Sequence, residues 1–241
     1  YRAGHLPGAV YVDMDTQLAT HGAPSQGRHP LPSRETLQGA ARRWGLHAGD
    51  TVVVYDDYRS ISAARAWWLL RGAGVRDIRV LDGGLSAWRA AELPLETGDV
   101  SPEPGSIVFD GLDEGLSIDE AAAWPQHGLL LDARAPERYR GESEPFDPVA
   151  GHIPGAVNLP ADAVLDGASF ASPAAIRAAF ESAGVSDLTP VAAYCGSGLT
   201  AAHTALAGAA AGLEVAVYPG SWSQWSNTPD RPVATGAEPG A

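Results

Sequence analysis

The sequence predicts an α/β protein built from two similar halves, each a mainly parallel β-sheet flanked by helices. Short apolar runs alternate with helical stretches, which is typical of parallel sheets covered by helices. The segment Tyr1-Arg-Ala-Gly-His-Leu-Pro-Gly-Ala-Val10 returns as Tyr139-Arg-Gly and Gly151-His-Ile-Pro-Gly-Ala-Val157. A second block, Leu81-Asp-Gly-Gly-Leu-Ser-Ala-Trp88, lies over Tyr218-Pro-Gly-Ser-Trp-Ser-Gln-Trp225. Matched blocks in the same order indicate an internal duplication.

A helix is predicted at the same place in each half. In the first half it begins after Ser33 and ends at Gly45. In the second half it begins after Ser172-Pro173 and ends at Gly184. Serine is a favourable N-cap, proline suits the first helical position, and glycine accepts the left-handed backbone that ends many helices.

Short β-rich strands follow these helices. They are predicted at Thr51 to Tyr55 and Ile78 to Leu81 in the first half, and at Leu129 to Arg134, Val191 to Tyr194 and Glu214 to Tyr218 in the second. The second half opens with Ser117-Ile-Asp-Glu120, a capping box that predicts a helix reaching about Trp124. The first half has no counterpart of this helix or of the strand at 129–134, so we expect its N-terminal part to be missing.

The boundaries follow from composition. Residues 96–106 form a polar stretch with proline and glycine, which we predict to be a linker. We therefore predict an N-terminally incomplete first domain at 1–95 and a second domain at 107–241. We expect the chemistry to belong to the second domain.

The composition limits the possible functions. The 241 residues are 45% hydrophobic and carry a formal net charge of −13, which argues against nucleic acid and anionic membrane surfaces as partners. No apolar stretch approaches the ~20 residues of a membrane span, and the first residues show no signal-peptide pattern. The one cysteine excludes an internal disulfide, and no cluster has metal-ligand spacing. We expect a cytoplasmic protein without a metal or other cofactor.

The only cysteine stands in Val191-Ala-Ala-Tyr-Cys-Gly-Ser-Gly-Leu-Thr-Ala-Ala-His203, which predicts a strand, a small-residue loop and a helix. Cys195 then lies at the carboxyl end of a parallel strand, where ligands usually bind. Glycines let backbone N–H groups turn towards the sulfur, and we predict that Thr200 caps the following helix. The helix N-terminus would favour the reactive thiolate. The alternative is a buried cysteine that only fills space.

Taken together, the strand Leu131-Asp-Ala-Arg134, the Gly151-His-Ile-Pro-Gly-Ala156 loop, the cysteine loop and Tyr218-Pro-Gly-Ser-Trp222 resemble the tandem rhodanese family of sulfurtransferases over essentially the whole chain. The resemblance implies catalysis at the second domain's cysteine. It also implies an inert first domain, in which Asp56 takes the place of Cys195. The loop is similar to the Cys-Gly-Ser-Gly-Val-Thr of mercaptopyruvate-type members, whereas thiosulfate-type members have Cys-Arg-Lys-Gly-Val-Thr.

The resemblance implies transfer of a sulfane sulfur from 3-mercaptopyruvate, through a persulfide on Cys195, to a thiol acceptor such as thioredoxin or to cyanide. It further implies that Ser197 and Asp15 join Cys195 in a relay that handles the proton. The alternatives are a loop-forming serine and an interface carboxylate. The remaining loop residues are expected to bind the substrate: Gly196, Gly198, Leu199 and Thr200.

Two further residues match substrate-binding positions of the family. Arg138 matches an arginine that binds the substrate carboxylate, with a surface salt bridge as the alternative. His29 matches a position near the substrate mouth, with a solvent-facing loop histidine as the alternative. Mercaptopyruvate-type members have a second arginine in a Glu-Pro-Arg segment, where this chain has Phe146 after Glu144-Pro145.

Other conspicuous residues are expected to be structural. Arg134 is predicted to pair with Asp132 at the strand end. His5 and His152 are predicted to be structural because the inert half keeps one too. Trp222 and Trp225 are expected to pack between the loop and the core, and Trp222 is a candidate wall of the pocket.

Three other functions compete with this interpretation. A thiosulfate sulfurtransferase is the nearest rival, favoured by the missing second arginine and disfavoured by the neutral loop. A persulfide carrier or binding module with little turnover is disfavoured by the joint presence of Cys195, Ser197, Thr200 and Arg138. A cysteine phosphatase needs Cys-x5-Arg to clamp phosphate, and Ala201 stands at that position.

Overall fold

The computed structural model describes residues 1–240, which form two compact units. The first unit comprises Tyr1–Thr20 and Leu31–Asp113. The second comprises His21–Pro30 and the chain from Glu114 onward. The segment His21–Pro30 therefore belongs to the second unit although it lies early in the sequence. Each unit contains a parallel sheet flanked by helices, which confirms the predicted fold class. The domain boundaries at 95 and 106 stay a prediction.

The first unit contains a two-stranded parallel sheet. Its elements are α1 (Met14–Gln17), α2 (Arg34–Arg43), β1 (Val52–Val54), α3 (Ile61–Gly72), β2 (Ile78–Val80) and α4 (Gly84–Ala90). The start and end of α2 follow the predicted caps. Ser33 Oγ accepts a hydrogen bond from Thr36 N–H at 3.1 Å, and Gly45 has a φ of +84°. β1 and β2 are paired so that Val52 lies beside Ile78.

The strands of the second unit are β3 (Leu129–Asp132), β4 (Ala156–Asn158), β5 (Leu165–Asp166), β6 (Ser169–Phe170), β7 (Val191–Tyr194) and β8 (Val215–Val217). β5 and β6 form a small antiparallel pair. The other four strands form a parallel sheet in the order β4-β3-β7-β8. The helices of this unit are α5 (Ile118–Ala123), α6 (Pro136–Tyr139), α7 (Pro173–Ser182), α8 (Leu199–Ala210) and α9 (Ser221–Ser226). All four residues of β7 are buried, because this strand has a neighbour on each side and helices cover the sheet.

The duplication extends to individual contacts around the two Gly-His-x-Pro-Gly-Ala loops. The rings of Tyr1 and His5 stack with centroids 4.0 Å apart, and those of Tyr139 and His152 stack at 3.8 Å. In each pair the histidine Nδ1 lies within hydrogen-bond distance of the tyrosine carbonyl, at 3.2 Å and 2.8 Å. Both histidines are almost fully buried. They hold the loops in place, as predicted.

A tyrosine at the end of a central strand supports each loop from the other side. Tyr55 Oη accepts a hydrogen bond from Leu6 N–H at 3.1 Å, and Tyr194 Oη accepts one from Ile153 N–H at the same distance. Tyr194 is completely buried, and this burial raises its pKa well above the ordinary value. The phenol therefore stays neutral and keeps its hydrogen-bonding role at physiological pH.

In each half, the segment after the last helix pairs with the Gly-His-x-Pro-Gly-Ala loop of that half. Glu96 forms an isolated antiparallel bridge with His5, and Ala234 forms one with His152. The segment predicted as a linker thus begins with residues that are hydrogen-bonded to the first unit.

Trp222 and Trp225 pack inside the second unit, as predicted. Both side chains are almost fully buried. Their indole N–H groups donate to backbone carbonyls, Trp222 to Val149 and Trp225 to Pro232, each at 2.9 Å. Trp222 is therefore part of the core beneath the site.

Among residues 1–240, no helix combines the length and the apolar character needed to cross a bilayer.

Candidate active site

Cys195 directly follows β7 and lies at the carboxyl edge of the four-stranded sheet. It is 2% exposed, and Gly198 N–H donates to its Sγ at 3.1 Å. Its own N–H donates to Ser221 Oγ at 3.0 Å, and its carbonyl accepts from Trp222 N–H at 2.9 Å. The backbone of the cysteine is therefore fixed on both sides by the first two residues of α9.

The helix after the cysteine is capped differently from the prediction. α8 begins at Leu199, and its N-cap is Gly198 with a φ of +86°. The prediction that Thr200 caps this helix is therefore wrong, because an N-cap precedes its helix and Thr200 is already the second residue of α8. Glycine is required at 198 by its left-handed backbone and by space, since a Cβ there would lie 2.4 Å from the Pro219 carbonyl oxygen. Leu199 and Thr200 form the first turn of α8, and their contact with a substrate stays a prediction.

Ser197 is paired with a histidine from a distant part of the sequence. Its Oγ lies 2.8 Å from Nδ1 of His29, and the two residues are 168 positions apart. Ser197 is buried and His29 is half-buried, so their contact is partly shielded from water. The histidine segment is anchored by Arg28 N–H, which donates to Ser223 Oγ at 3.0 Å. The cysteine loop thus has an acid–base group one hydrogen bond from Ser197.

Asp15 lies in the first unit, in the first turn of α1, and is exposed. The neighbouring Asp13 is the N-cap of this helix. The Asp13 carboxylate accepts hydrogen bonds from the Thr16 hydroxyl at 2.7 Å and from Thr16 N–H at 2.9 Å, and both lower its pKa. Asp13 is therefore a local structural residue. The role of Asp15 in a relay stays a prediction.

Two arginines lie over the loop residue that follows the cysteine. An ideal Cβ built on Gly196 would lie 3.0 Å from Nη2 of Arg28 and 3.3 Å from Nη1 of Arg138. Arg138 comes from α6 and is held by Glu144, with Nη2 2.6 Å from Oε1. Arg28 is held by Asp147 through its Nη1. The carboxylates of Glu144 and Asp147 are only 3% and 2% exposed, so Arg138 is not part of a surface salt bridge.

Asp147 is the less stabilised of the two carboxylates. Its Oδ2 is buried without a hydrogen-bond partner and lies 3.7 Å from Nη2 of Arg138. Burial raises the pKa of Asp147 above its ordinary value, although the hydrogen bond and charge of Arg28 oppose this rise.

Arg134 is structural, as predicted. Its Nη2 lies 2.6 Å from Asp132 Oδ2 and 2.6 Å from the Gly151 carbonyl oxygen, and its Nη1 lies 3.2 Å from Glu144. The Arg134 and Asp132 side chains are 1% and 0% exposed. Burial alone would lower the pKa of Arg134, but the charge and hydrogen bonds of Asp132 raise it above its ordinary value. This ion pair fixes the carboxyl end of β3 beside the cysteine loop.

The first half has a corresponding loop that holds an aspartate in place of the cysteine. Asp56, at the position of the cysteine, accepts hydrogen bonds through its carboxylate from three backbone N–H groups, those of Tyr58, Ser60 and Ala63, at 2.8–2.9 Å. This loop therefore surrounds an anionic group with backbone donors. At the equivalent place in the second unit, the loop directs one backbone donor, Gly198 N–H, at the cysteine sulfur.

Sequence reasoning missed Arg28, Asp147 and Ser221. Arg28 is next to His29, but nothing local places that segment at the cysteine loop. Asp147 is the last residue of the Glu144-Pro-Phe-Asp147 segment, in which the sequence pattern concerns only the absent arginine at 146. The sequence does contain a signal for Ser221, because the internal repeat places this serine over Gly84 of the first half. In the structure both residues have a φ of +54°.

No three His, Cys, Asp or Glu side chains within residues 1–240 are grouped as a metal ion would require. The chemistry available to the site is that of a cysteine sulfur, a hydroxyl–imidazole pair and two guanidinium groups. Such a set suits a cysteine nucleophile acting on an anionic substrate.

Comparison with known proteins agrees with this geometry. The model of the rhodanese-like domain matches residues 1–91 and 117–228. A Mycobacterium tuberculosis protein provisionally named thiosulfate sulfurtransferase SseB is 46% identical over 98% of this chain and 85% of its own length. A Pseudomonas aeruginosa protein provisionally named 3-mercaptopyruvate sulfurtransferase is 44% identical over 98% of this chain and 86% of its own. The crystal structure of SseA from Escherichia coli, described as a 3-mercaptopyruvate sulfotransferase, has a TM-score of 0.82 and 34% identity, covering 92% of this chain and 84% of that one. The chain therefore belongs to the rhodanese family and carries two rhodanese-like domains.

Proposed function

We propose that the chain is a sulfurtransferase that moves a sulfane sulfur from 3-mercaptopyruvate to a thiol through a persulfide on Cys195. The observation that supports this most directly is the position of the Cys195 sulfur. It accepts a backbone N–H inside a loop that also presents Ser197, hydrogen-bonded to His29, and faces Arg138. A cysteine sulfur, a hydroxyl–imidazole pair and a guanidinium group thus occupy one edge of the sheet, which supports roles as nucleophile, proton-handling pair and carboxylate-binding cation.

In the first half-reaction the Cys195 thiolate attacks the sulfur of 3-mercaptopyruvate. An S–S bond forms and the bond between that sulfur and the substrate's C3 breaks, with the electron pair leaving as the enolate of pyruvate. A proton then converts the enolate to pyruvate. The cysteine is left as a persulfide, which the donor N–H of Gly198 helps to hold in the anionic form.

In the second half-reaction an acceptor thiolate attacks the outer sulfur of the persulfide. The new S–S bond forms on the acceptor, and Cys195 leaves as a thiolate, ready for another cycle. We propose a protein thiol such as thioredoxin, or a small thiol, as the acceptor, with cyanide as a test-tube substitute. We place the reaction in the cytoplasm, because the cysteine must stay reduced between cycles.

Protons are handled by Ser197 and its partner. The substrate thiol must lose a proton as its sulfur is transferred, and the enolate must gain one. The Ser197 hydroxyl and the His29 ring can pass a proton along their 2.8 Å contact. Asp15 is proposed as the third member of this relay, on the resemblance alone.

Thiosulfate is the second candidate donor, since the Mycobacterium tuberculosis relative bears the name of a thiosulfate sulfurtransferase. The loop residues Gly196 and Ser197 disfavour it, because they carry no charge where thiosulfate-type enzymes have a basic pair. A 2-oxo acid with one carboxylate matches the neutral loop better.

The experiment is steady-state sulfur transfer with 3-mercaptopyruvate and with thiosulfate, on the intact chain and on Cys195→Ser. A higher kcat/KM for 3-mercaptopyruvate that disappears in Cys195→Ser would support the proposal. A higher kcat/KM for thiosulfate would make that ion the donor. No activity with either donor would leave a persulfide carrier or binding module as the better explanation.

A further inference from the structure

We propose that Arg28 is the second arginine that binds the carboxylate of the donor, in the role that related mercaptopyruvate-type enzymes give to an arginine at the position of Phe146. This role rests on the proposed function. It accounts for the arginine that is absent at the position of Phe146, because the missing guanidinium is supplied from another segment of the chain.

The first argument is convergence. The ideal Cβ position on Gly196 is a point in space directly beside the residue that follows the nucleophile. Arg28 Nη2 lies 3.0 Å and Arg138 Nη1 lies 3.3 Å from this point. Two guanidinium groups that meet at one point beside a nucleophilic sulfur form a site for a planar anion such as a carboxylate.

The second argument is which nitrogen atoms are already engaged. Arg28 uses Nη1 for its ion pair with Asp147. Arg138 uses Nε and Nη2 for its hydrogen bonds to Glu144. Within residues 1–240, these contacts leave Arg28 Nη2 and Arg138 Nη1 without a protein acceptor. They are also the two nitrogen atoms nearest to the ideal Cβ of Gly196, while the engaged Nη2 of Arg138 lies farther away at 3.6 Å. The closest donors are therefore also the donors that remain available.

The third argument is preorganisation. Asp147, whose side chain is 2% exposed, holds Arg28, whose own side chain is 33% exposed. The Phe146 ring lies 5.4 Å from the guanidinium carbon of Arg28 and 5.3 Å from that of Arg138. Phe146 thus contacts both cations although it cannot replace either. One nitrogen of the Arg28 guanidinium is thus held by Asp147 while the side chain stays accessible to solvent, as a ligand-binding arginine requires.

The fourth argument is space. Any side chain at 196 would extend into the volume that the two guanidinium groups face, since even a Cβ would lie within 3.3 Å of both. The glycine at 196, which has no side chain, therefore lets both guanidinium groups come close to the cysteine loop. The positive charge of this site comes from outside the cysteine loop.

The test compares the intact chain with Arg28→Gln, using 3-mercaptopyruvate and mercaptoacetone, which has a methyl group in place of the carboxylate. Loss of a charge-assisted hydrogen bond to the carboxylate should raise KM for 3-mercaptopyruvate by about 10- to 100-fold. We expect kcat to change by less than about threefold, because binding is lost equally in the ground and transition states. Inhibition by pyruvate, which keeps the carboxylate, should weaken by a similar factor. Turnover of mercaptoacetone should not change.

Arg140→Gln is the matched control. Arg140 is paired with Glu142, two residues beyond Arg138, and its variant should keep the KM of the intact chain. A rescue variant completes the set: Phe146→Arg in the Arg28→Gln background should restore much of the lost affinity by placing an arginine where related enzymes have it.

The outcomes separate the two proposals. If the intact chain does not transfer sulfur from 3-mercaptopyruvate, the proposed function fails. If it does, and Arg28→Gln leaves KM and pyruvate inhibition unchanged, the role of Arg28 is overturned while the function stands. An equal loss of kcat with both substrates would also overturn it, since that result would mean that Arg28 only supports the loop.

Discussion

Ser221 occupies the position that Gly84 occupies in the first half, and both residues have a φ of +54°. For glycine this backbone is relaxed, whereas for serine it costs about 1–2 kcal/mol. At this position the serine hydroxyl accepts the N–H of Cys195, at 3.0 Å. The same Oγ lies 3.9 Å from the cysteine sulfur and donates to the Tyr218 carbonyl. The serine therefore has a strained backbone, and its side chain holds the nucleophile in position through this hydrogen bond.

Two replacements of Ser221 should separate the cost of its strained backbone from the contribution of its hydrogen bond to Cys195. Ser221→Ala keeps the left-handed backbone and leaves the buried Cys195 N–H without a partner, which should cost about 1–3 kcal/mol of the free energy of unfolding. Ser221→Gly loses the same hydrogen bond but relaxes the backbone, so it should be more stable than Ser221→Ala by up to about 1 kcal/mol. Chemical denaturation measures both. Both variants should also lower kcat, and a glycine variant with the full kcat of the intact chain would contradict the anchoring role.

The contact between His29 and Ser197 predicts coupled effects on turnover. His29→Gln removes the imidazole and should lower kcat for 3-mercaptopyruvate by about 100-fold, the low end of general acid–base catalysis. Ser197→Ala should lower it at least about tenfold. Because the two side chains act as one unit, the double variant should be no slower than the slower single variant.

The first unit offers a control for this experiment. His47 Nδ1 lies 2.9 Å from Ser106 Oγ, which is the same type of pair without a nucleophile. His47→Gln should leave kcat unchanged. Additive losses in the His29 and Ser197 variants, or an equal loss in His47→Gln, would show that the relay does not depend on this contact.

Local rules were sufficient to predict most of the fold. The caps at Ser33, Ser117 and Ser172 form as the sequence indicates, because a cap depends only on residues three positions apart. The strand, loop and helix around Cys195 follow from an apolar run that stops at small residues. Thr200 shows the limit of these rules. Threonine is a suitable N-cap by residue type, but the helix begins at Leu199, after Gly198 and its left-handed backbone.

The candidate site was only partly predictable because half of it comes from distant residues. Ser197 and its histidine partner are 168 positions apart, and Arg28 and Asp147 are 119 positions apart. Neither spacing leaves a periodic pattern in the sequence. The resemblance points to His29 because this residue stands at a family position. It points to an arginine only where the arginine stands at the same position in the family. An arginine that reaches the same place from another segment is visible only once the chain is folded.

The tyrosines that support the two repeated loops provide a test of stability. Tyr194→Phe removes the acceptor of the Ile153 N–H, which is buried, and should lower the free energy of unfolding by about 1–3 kcal/mol. Tyr55→Phe removes the same contact in a half-buried place, where water can replace it, and should cost about 0.5–1 kcal/mol. Thermal or denaturant unfolding of the two variants measures the difference. Equal losses would mean that burial does not govern the strength of this contact.

The raised pKa of Asp147 predicts how one carboxyl affects stability with pH. Burial raises this pKa above the ordinary value of an aspartate, against the influence of Arg28. As pH rises from about 4, the value for an unperturbed aspartate, the carboxyl ionises in the unfolded chain before it ionises in the folded one. The folded state then binds more protons, so its stability falls with rising pH until the native carboxyl has also ionised. Asp147→Asn lacks this titration.

The free energy of unfolding of Asp147→Asn, minus that of the intact chain, should therefore increase as pH rises through this window and then level off. Glu142→Gln should show the opposite sign, because the hydrogen bond from Arg140 lowers the pKa of Glu142 and its ionisation favours the folded state. Denaturant unfolding of both variants between about pH 3 and 7 gives the two curves, where the carboxyls titrate. A difference for Asp147→Asn that decreases with pH would mean that the charges of Arg28 and Arg138 outweigh the burial of this carboxylate, and that Asp147 is ionised more readily in the folded chain than in the unfolded one.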